Sequence, residues 1–150
     1  MKYKLKATIT EIGFEDLVDM FSTMLYGNNI FCAQYDSFFL SCLKDIDTCL
    51  EEKLARILLS GNTGEIIIID TNAGDMGECY GTLRHYFDEE GMNYRVTLSD
   101  IKEGLERCLD SDDEYLREAA LSFVNDDGQA DLLDGMRVLQ MILFGEEIYG

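Results

Sequence analysis

Two carboxylates stand where sheet chemistry is usually found. Asp70 closes the apolar run Glu65-Ile-Ile-Ile-Ile-Asp70, and Asp75 lies a few residues further on. Ligands of α/β sheets collect beyond the carboxyl ends of central strands, and a carboxylate pair there can hold Mg2+ or act as general acid and base. A metal-assisted enzyme using Asp70 and Asp75, joined by Glu78, is the catalytic alternative that the sequence offers; a module that pairs with another protein through apolar helix surface rather than charge is the other alternative. Both residues also have plainer roles. Asp75 and Glu78 form the D-x-x-E pair of a helix start, and Asp70 simply terminates a strand. Gly74, Gly77 and Gly81 match neither a dinucleotide fingerprint nor a P-loop, and the acids beside them repel phosphate. No catalytic residue, metal or cofactor is assigned, and a non-enzymatic protein is expected.

Thiol chemistry fares no better. Cys32, Cys42, Cys49, Cys79 and Cys108 are odd in number and contain no C-x-x-C pair, which suits a reducing, cytoplasmic setting rather than a disulfide framework or zinc site. Cys42 and Cys49 fall two turns apart along an expected helix and read as small buried hydrophobes. His85 is the one histidine. Six residues after Cys79, it would be turned away by about 240° on a shared helix, so it reads as a partly buried helical side chain. Phe123-x-Asn125-x-Asp127-Gly128, with Asp131 and Asp134 beyond, partly matches a calcium loop, but Phe123 replaces the first aspartate. A polar interhelical loop, with Asp131 starting the next helix, is the expectation there.

The strongest signal is charge. Thirty acidic side chains against 12 basic ones give a net charge of −18, which argues against direct contact with nucleic acid or an anionic membrane surface. No apolar stretch approaches the roughly 20 residues of a spanning helix. Solubility alone asks for a net charge of only about 2 to 8 in magnitude. Between Asp100 and Gly150 there are 14 acids and only Lys102, Arg107, Arg117 and Arg137 as bases. Glu103 with Arg107 and Asp113 with Arg117 have favourable four-residue helical spacing, whereas Glu106 with Asp110 and Glu114 with Glu118 place like charges together. The surplus is read as a surface for a cationic partner, made by Asp110, Asp112, Asp113, Glu114, Glu118, Asp126, Asp127, Asp131 and Asp134. Tyr115 and Tyr149 are the candidate aromatic anchors.

The elements that must position these residues follow from apolar periodicity. Residues 2–12 alternate as a strand with a lysine row. A helix from Phe14 to Gly27 carries Leu17, Phe21 and Met24, and a short strand covers Ile30 to Ala33. A long helix runs from Phe39 to Ile57 and stops at Ser60-Gly61. The isoleucine run reads as a central strand covered on both faces. A helix is expected from Asp75 to Gly91, then a strand from Tyr94 to Leu98. Two helices follow, capped by Asp100 with Glu103 and by Ser111 with Glu114. The last helix buries Leu132, Leu133, Met136, Leu139 and Leu143 and ends at Gly145. The expected fold class is α+β: a small three- to four-stranded sheet with about six helices and a helical C-terminal half, in one globular domain over residues 1–150.

In size, acidity and lack of catalytic motifs the chain resembles the small nucleic-acid-mimic inhibitors of phages and mobile elements, such as anti-CRISPR and anti-restriction proteins, and the acidic immunity proteins that neutralise toxin nucleases. The resemblance is one of composition over the whole chain and carries over no site residue. It implies a protein that occupies the basic, nucleic-acid-binding surface of a partner.

Overall fold

The computed structural model describes residues 11–26, 29–36, 38–39, 48–61, 64–73, 80–125 and 130–149. In chain order these form α1 (Phe14–Leu25), β1 (Phe31–Gln34), α2 (Leu50–Leu58), β2 (Glu65–Asp70), β3 (His85–Asp88), β4 (Gly91–Thr97), α3 (Leu98–Leu109), α4 (Glu114–Asn125) and α5 (Leu132–Leu143). The fold is α+β, with five helices among the described residues rather than about six. The expected strand at residues 2–12 falls almost wholly outside them.

The four strands pair antiparallel in the order β1-β2-β4-β3, so β2 is interior as the isoleucine run implies. Ile66 and Ile68 join the helical core beside their cross-strand partners Val96 and Tyr94, while Ile67 and Ile69 are buried on the opposite face. A single apolar cluster runs from Ile12 through Leu17, Phe21 and Leu54 to Ile142 and Phe144. α3 and α5 approach closely because Gly104 has no side chain: a Cβ there would lie 2.4 Å from Ile142 Cγ1 and 2.6 Å from its Cα.

Several expectations are corrected. The described part of the Asp75–Gly91 helix is instead a β3–β4 hairpin, turning at Glu89-Glu90 into Gly91. Gly91 has φ +138°, and a Cβ there would meet the Asp70 carbonyl oxygen at 2.2 Å. A positive φ tight against a neighbouring strand requires glycine, so this residue ends a turn, not a helix. His85 is accordingly exposed on a strand and is not a buried helical residue. The helix expected over 39–57 is not continuous. Thr48 and Cys49 are non-helical, and α2 starts only at Leu50 behind an extended Cys49. Cys49 is therefore exposed, not a buried hydrophobe, whereas Cys108 is buried; Cys42 lies outside the described residues. Leu132 and Leu133 are 50% and 63% exposed. The buried face of α5 is carried by Gly135, Val138, Leu139, Ile142 and Leu143, with Met136 half-buried.

Candidate functional site

The acidic surface is organised by how α3, α4 and α5 begin. Thr97 caps α3: its hydroxyl accepts the Asp100 N–H at 3.3 Å, and the Asp100 carboxyl accepts the Thr97 N–H at 2.8 Å. The expected Asp100–Glu103 pair is thus displaced by one turn, because Thr97 already has the extended backbone of a cap. With Ile101, Gly104, Leu105 and Cys108 facing the core, Glu103 is turned outward, and Glu106 and Asp110 are half-buried beside it. These three carboxyl groups line an open groove of about 550 Å³, shared with Arg107, Met141 and Gly145. Arg107 is held there, donating to the Met141 carbonyl at 3.0 Å and lying 3.7 Å from Glu103, the ion pair anticipated from spacing.

α4 is started by Asp113, not by Ser111. Asp113 Oδ1 accepts the N–H groups of Tyr115 and Leu116 at 3.0 and 3.3 Å, while the Ser111 hydroxyl accepts the Asp113 N–H at 3.1 Å. The other Asp113 oxygen receives Arg137 Nη2 at 2.5 Å, and Arg137 Nε binds Glu147 at 2.5 Å. This corrects the expected Asp113–Arg117 pair. Once its carboxyl group is committed to the helix start, Asp113 is aimed at α5, and Arg117 donates to the Ser111 carbonyl at 2.6 Å. The hydrogen bond from Arg137 holds the Asp113 carboxyl below its ordinary value of 3.8, and in return Glu147 and Asp113 push the Arg137 guanidinium up.

Asp131 and Asp134 form a reciprocal cap on α5, with N–H to carboxyl distances of 2.8 and 3.1 Å. Asp131 starts that helix as expected. Of the nine residues assigned to the partner surface, Asp113, Asp131 and Asp134 therefore work within the fold. Asp110 closes α3. Asp112, Glu114 and Glu118 are exposed, the last two on α4. Asp126 and Asp127 lie outside the described residues, as do residues 128–129 of the loop compared with a calcium site; Phe123 and Asn125 belong to α4, and Asp131 and Asp134 are the cap of α5. Of the two anchors, Tyr115 is 73% exposed and Tyr149 is half-buried.

The catalytic alternative meets a different geometry. Asp70 is 0% exposed; one oxygen accepts the Tyr149 hydroxyl at 2.7 Å and the other the Asn72 N–H at 2.9 Å. Burial and the Asp70 hydrogen bond push the Tyr149 phenol upward. Asp75 and Glu78 are outside the described residues. Among the described residues no group of three or more His, Cys, Asp or Glu is placed to hold a metal ion. His85 and Cys32 lie on strands at opposite edges of the sheet. Burial pushes the Cys108 thiol up to about 12, away from the nucleophilic range.

Two features escaped sequence reasoning. Arg137 joins α4, α5 and the C-terminal segment. Gln140, buried inside α5, accepts the N–H groups of Ile148 and Tyr149, both at 2.7 Å, and so seats Tyr149 over Asp70. A glutamine on the buried stripe between Leu139 and Ile142 was the available signal, since a buried amide must find partners. No family model, curated protein or solved structure matches the chain.

Proposed function

We propose that this protein is a non-enzymatic binding protein, an inhibitor that occupies the basic nucleic-acid-handling surface of another protein, such as a bacterial defence or toxin nuclease. The observation that carries the reading is the groove between α3 and α5. Glu103, Glu106 and Asp110 line it with Arg107, which donates to the Met141 carbonyl and lies 3.7 Å from Glu103. Glu114 and Glu118 on α4 are also exposed, with Tyr115 between them in sequence as an aromatic contact. Helix acids one turn apart recur about every 5.4 Å, on the scale of the roughly 3.4 Å phosphate spacing of one strand. Lysines and arginines arranged for a phosphate backbone would meet comparable charge density here. Asp112 stays in the proposed surface, while Asp113, Asp131 and Asp134 contribute field from their capping positions.

The test begins with capture from lysate at low salt and identification of the bound protein by mass spectrometry. The complex is then challenged with duplex DNA, with RNA and with rising salt. Release by nucleic acid, together with a steep loss of affinity in salt and in a Glu103→Gln, Glu106→Gln, Glu114→Gln, Glu118→Gln variant, is expected. A complex indifferent to salt, to those substitutions and to nucleic acid would overturn the proposal.

A further inference from the structure

β3 is one of the two edge strands of the described sheet, and all four of its residues are exposed, including Tyr86 at 39% and Phe87 at 48%. Which backbone groups it offers follows from its pairing with β4. The Arg95 N–H donates to the Arg84 carbonyl at 2.9 Å, making Arg84 and Arg95 a hydrogen-bonded pair. Hydrogen-bonded and non-bonded pairs alternate along an antiparallel ladder. In the observed register, Tyr86 with Asn93 and Asp88 with Gly91 are then the other bonded pairs. The N–H and C=O groups of His85 and Phe87 point away from β4, along an edge that no other described strand pairs with.

We propose that this edge pairs with a second copy of itself, antiparallel about Tyr86, joining the two four-stranded sheets across a twofold axis. Only residues with outward groups can form the bonded pairs, which limits the register. Centring on Tyr86 places His85 opposite the partner's Phe87 on both sides of the axis, giving four backbone hydrogen bonds. The side chains agree with that register. Tyr86 meets its own copy in the non-bonded position, where side chains come closest. Arg84 lies opposite the Asp88 of the second copy, twice. Arg84, Tyr86 and Asp88 share one face of the strand because they are two residues apart, so the two ion pairs flank the central ring pair. Arg84 already touches Glu65 but keeps 69% of its side chain exposed, and Arg95 lies 5.3 Å from the Tyr86 ring on the same face. One strand edge thus carries, in the register that pairs both outward-facing residues, a self-complementary set of charges and an aromatic centre.

Sedimentation equilibrium of the whole protein between about 1 μM and 1 mM spans the affinity range of a small interface. Salt of about 0.3 M screens the repulsion between two polyanions and separates this association from the charge-driven capture proposed above. A reversible dimer is expected. His85→Pro deletes an N–H that β4 does not use, and should weaken the dimer about tenfold or more while the circular dichroism of the fold persists. Arg84→Glu and Asp88→Arg should each be monomeric alone. Mixed in equal amounts they should associate, because every Arg84–Asp88 contact is then rebuilt with its charges exchanged or intact. A protein that is monomeric throughout, a dimer unaffected by His85→Pro, or a mixture of the two charge variants that fails to associate would each overturn the proposal.

Discussion

Replacing Tyr149 by phenylalanine removes one oxygen and almost no volume, and it isolates the contact between the C-terminal segment and the sheet. The Asp70 side chain is fully buried, and the Tyr149 hydroxyl, 2.7 Å away, is the donor to one of its two oxygens. Without that hydroxyl the oxygen has no donor among the described residues, in a place that solvent does not reach. Leaving a buried acceptor unsatisfied costs about 1–3 kcal/mol. Taking about 2 kcal/mol, at about 2–4 °C per kcal/mol for a chain of this size, Tm falls by about 4–8 °C. Urea denaturation followed by far-ultraviolet circular dichroism gives the free energy directly, and a cycle with Asp70→Asn and the double variant isolates the pair. A coupling of about 1 kcal/mol or more is expected for groups in direct contact. The pH dependence adds a second check. The Tyr149 phenol is raised above its ordinary value of 10.0, so its contribution is complete below about pH 10 and is lost as pH rises toward the folded-state value. The parent should therefore lose stability above pH 10 by more than Tyr149→Phe does. A Tyr149→Phe variant within about 0.5 kcal/mol of the parent, with additive double-variant energies, would refute the reasoning.

Gly104→Ala sets two effects against each other. Alanine gains about 1 kcal/mol of helix propensity, but its methyl would sit 2.4 Å from Ile142 Cγ1, and overpacking of that kind costs about 1–3 kcal/mol. With Ile142 Cα also only 2.6 Å away, packing should win, and thermal unfolding should show net destabilisation. Asp113, held below 3.8 by Arg137, contributes stability that is present above about pH 4 and is lost as pH falls through its lowered folded-state value. Arg137→Met should flatten that part of an acid-denaturation curve. In the native protein, thiol alkylation mapped by mass spectrometry should modify exposed Cys49 and spare Cys108, whose buried thiol is pushed up to about 12. Rapid labelling of Cys108 would mean that the α3–α5 contact opens readily.

What could be read in advance divides along physical lines. β2, α1 and α3 each repeat an apolar pattern of one period: Ile66 to Ile69; Leu17, Phe21 and Met24; Ile101, Leu105 and Cys108. Burial follows such a pattern whatever the rest of the chain does. The β3–β4 hairpin was hidden because a D-x-x-E pair and a terminal glycine also describe a helix. Only the approach of Gly91 to the Asp70 carbonyl, across two strands, distinguishes the readings. The acidic surplus was visible as a count, but its distribution was not. Spacing within one helix offered Arg117 as the partner of Asp113, whereas the partner in the structure is Arg137, 24 residues away. Asp131 and Asp134 likewise looked like partner-facing charge until their mutual cap was apparent.

The seating of Tyr149 by Gln140 and Asp70 bears on how the molecule is made. Translation delivers β1 to β4 before α5, yet the donor that completes Asp70 arrives about 80 residues after Asp70 itself, and a nascent chain halted before it would leave one oxygen of this strand-end carboxyl without its Tyr149 donor. Native closure is thereby deferred until synthesis has passed α5. Cleavage between α5 and Tyr149 should accordingly leave a species that unfolds more readily than the parent.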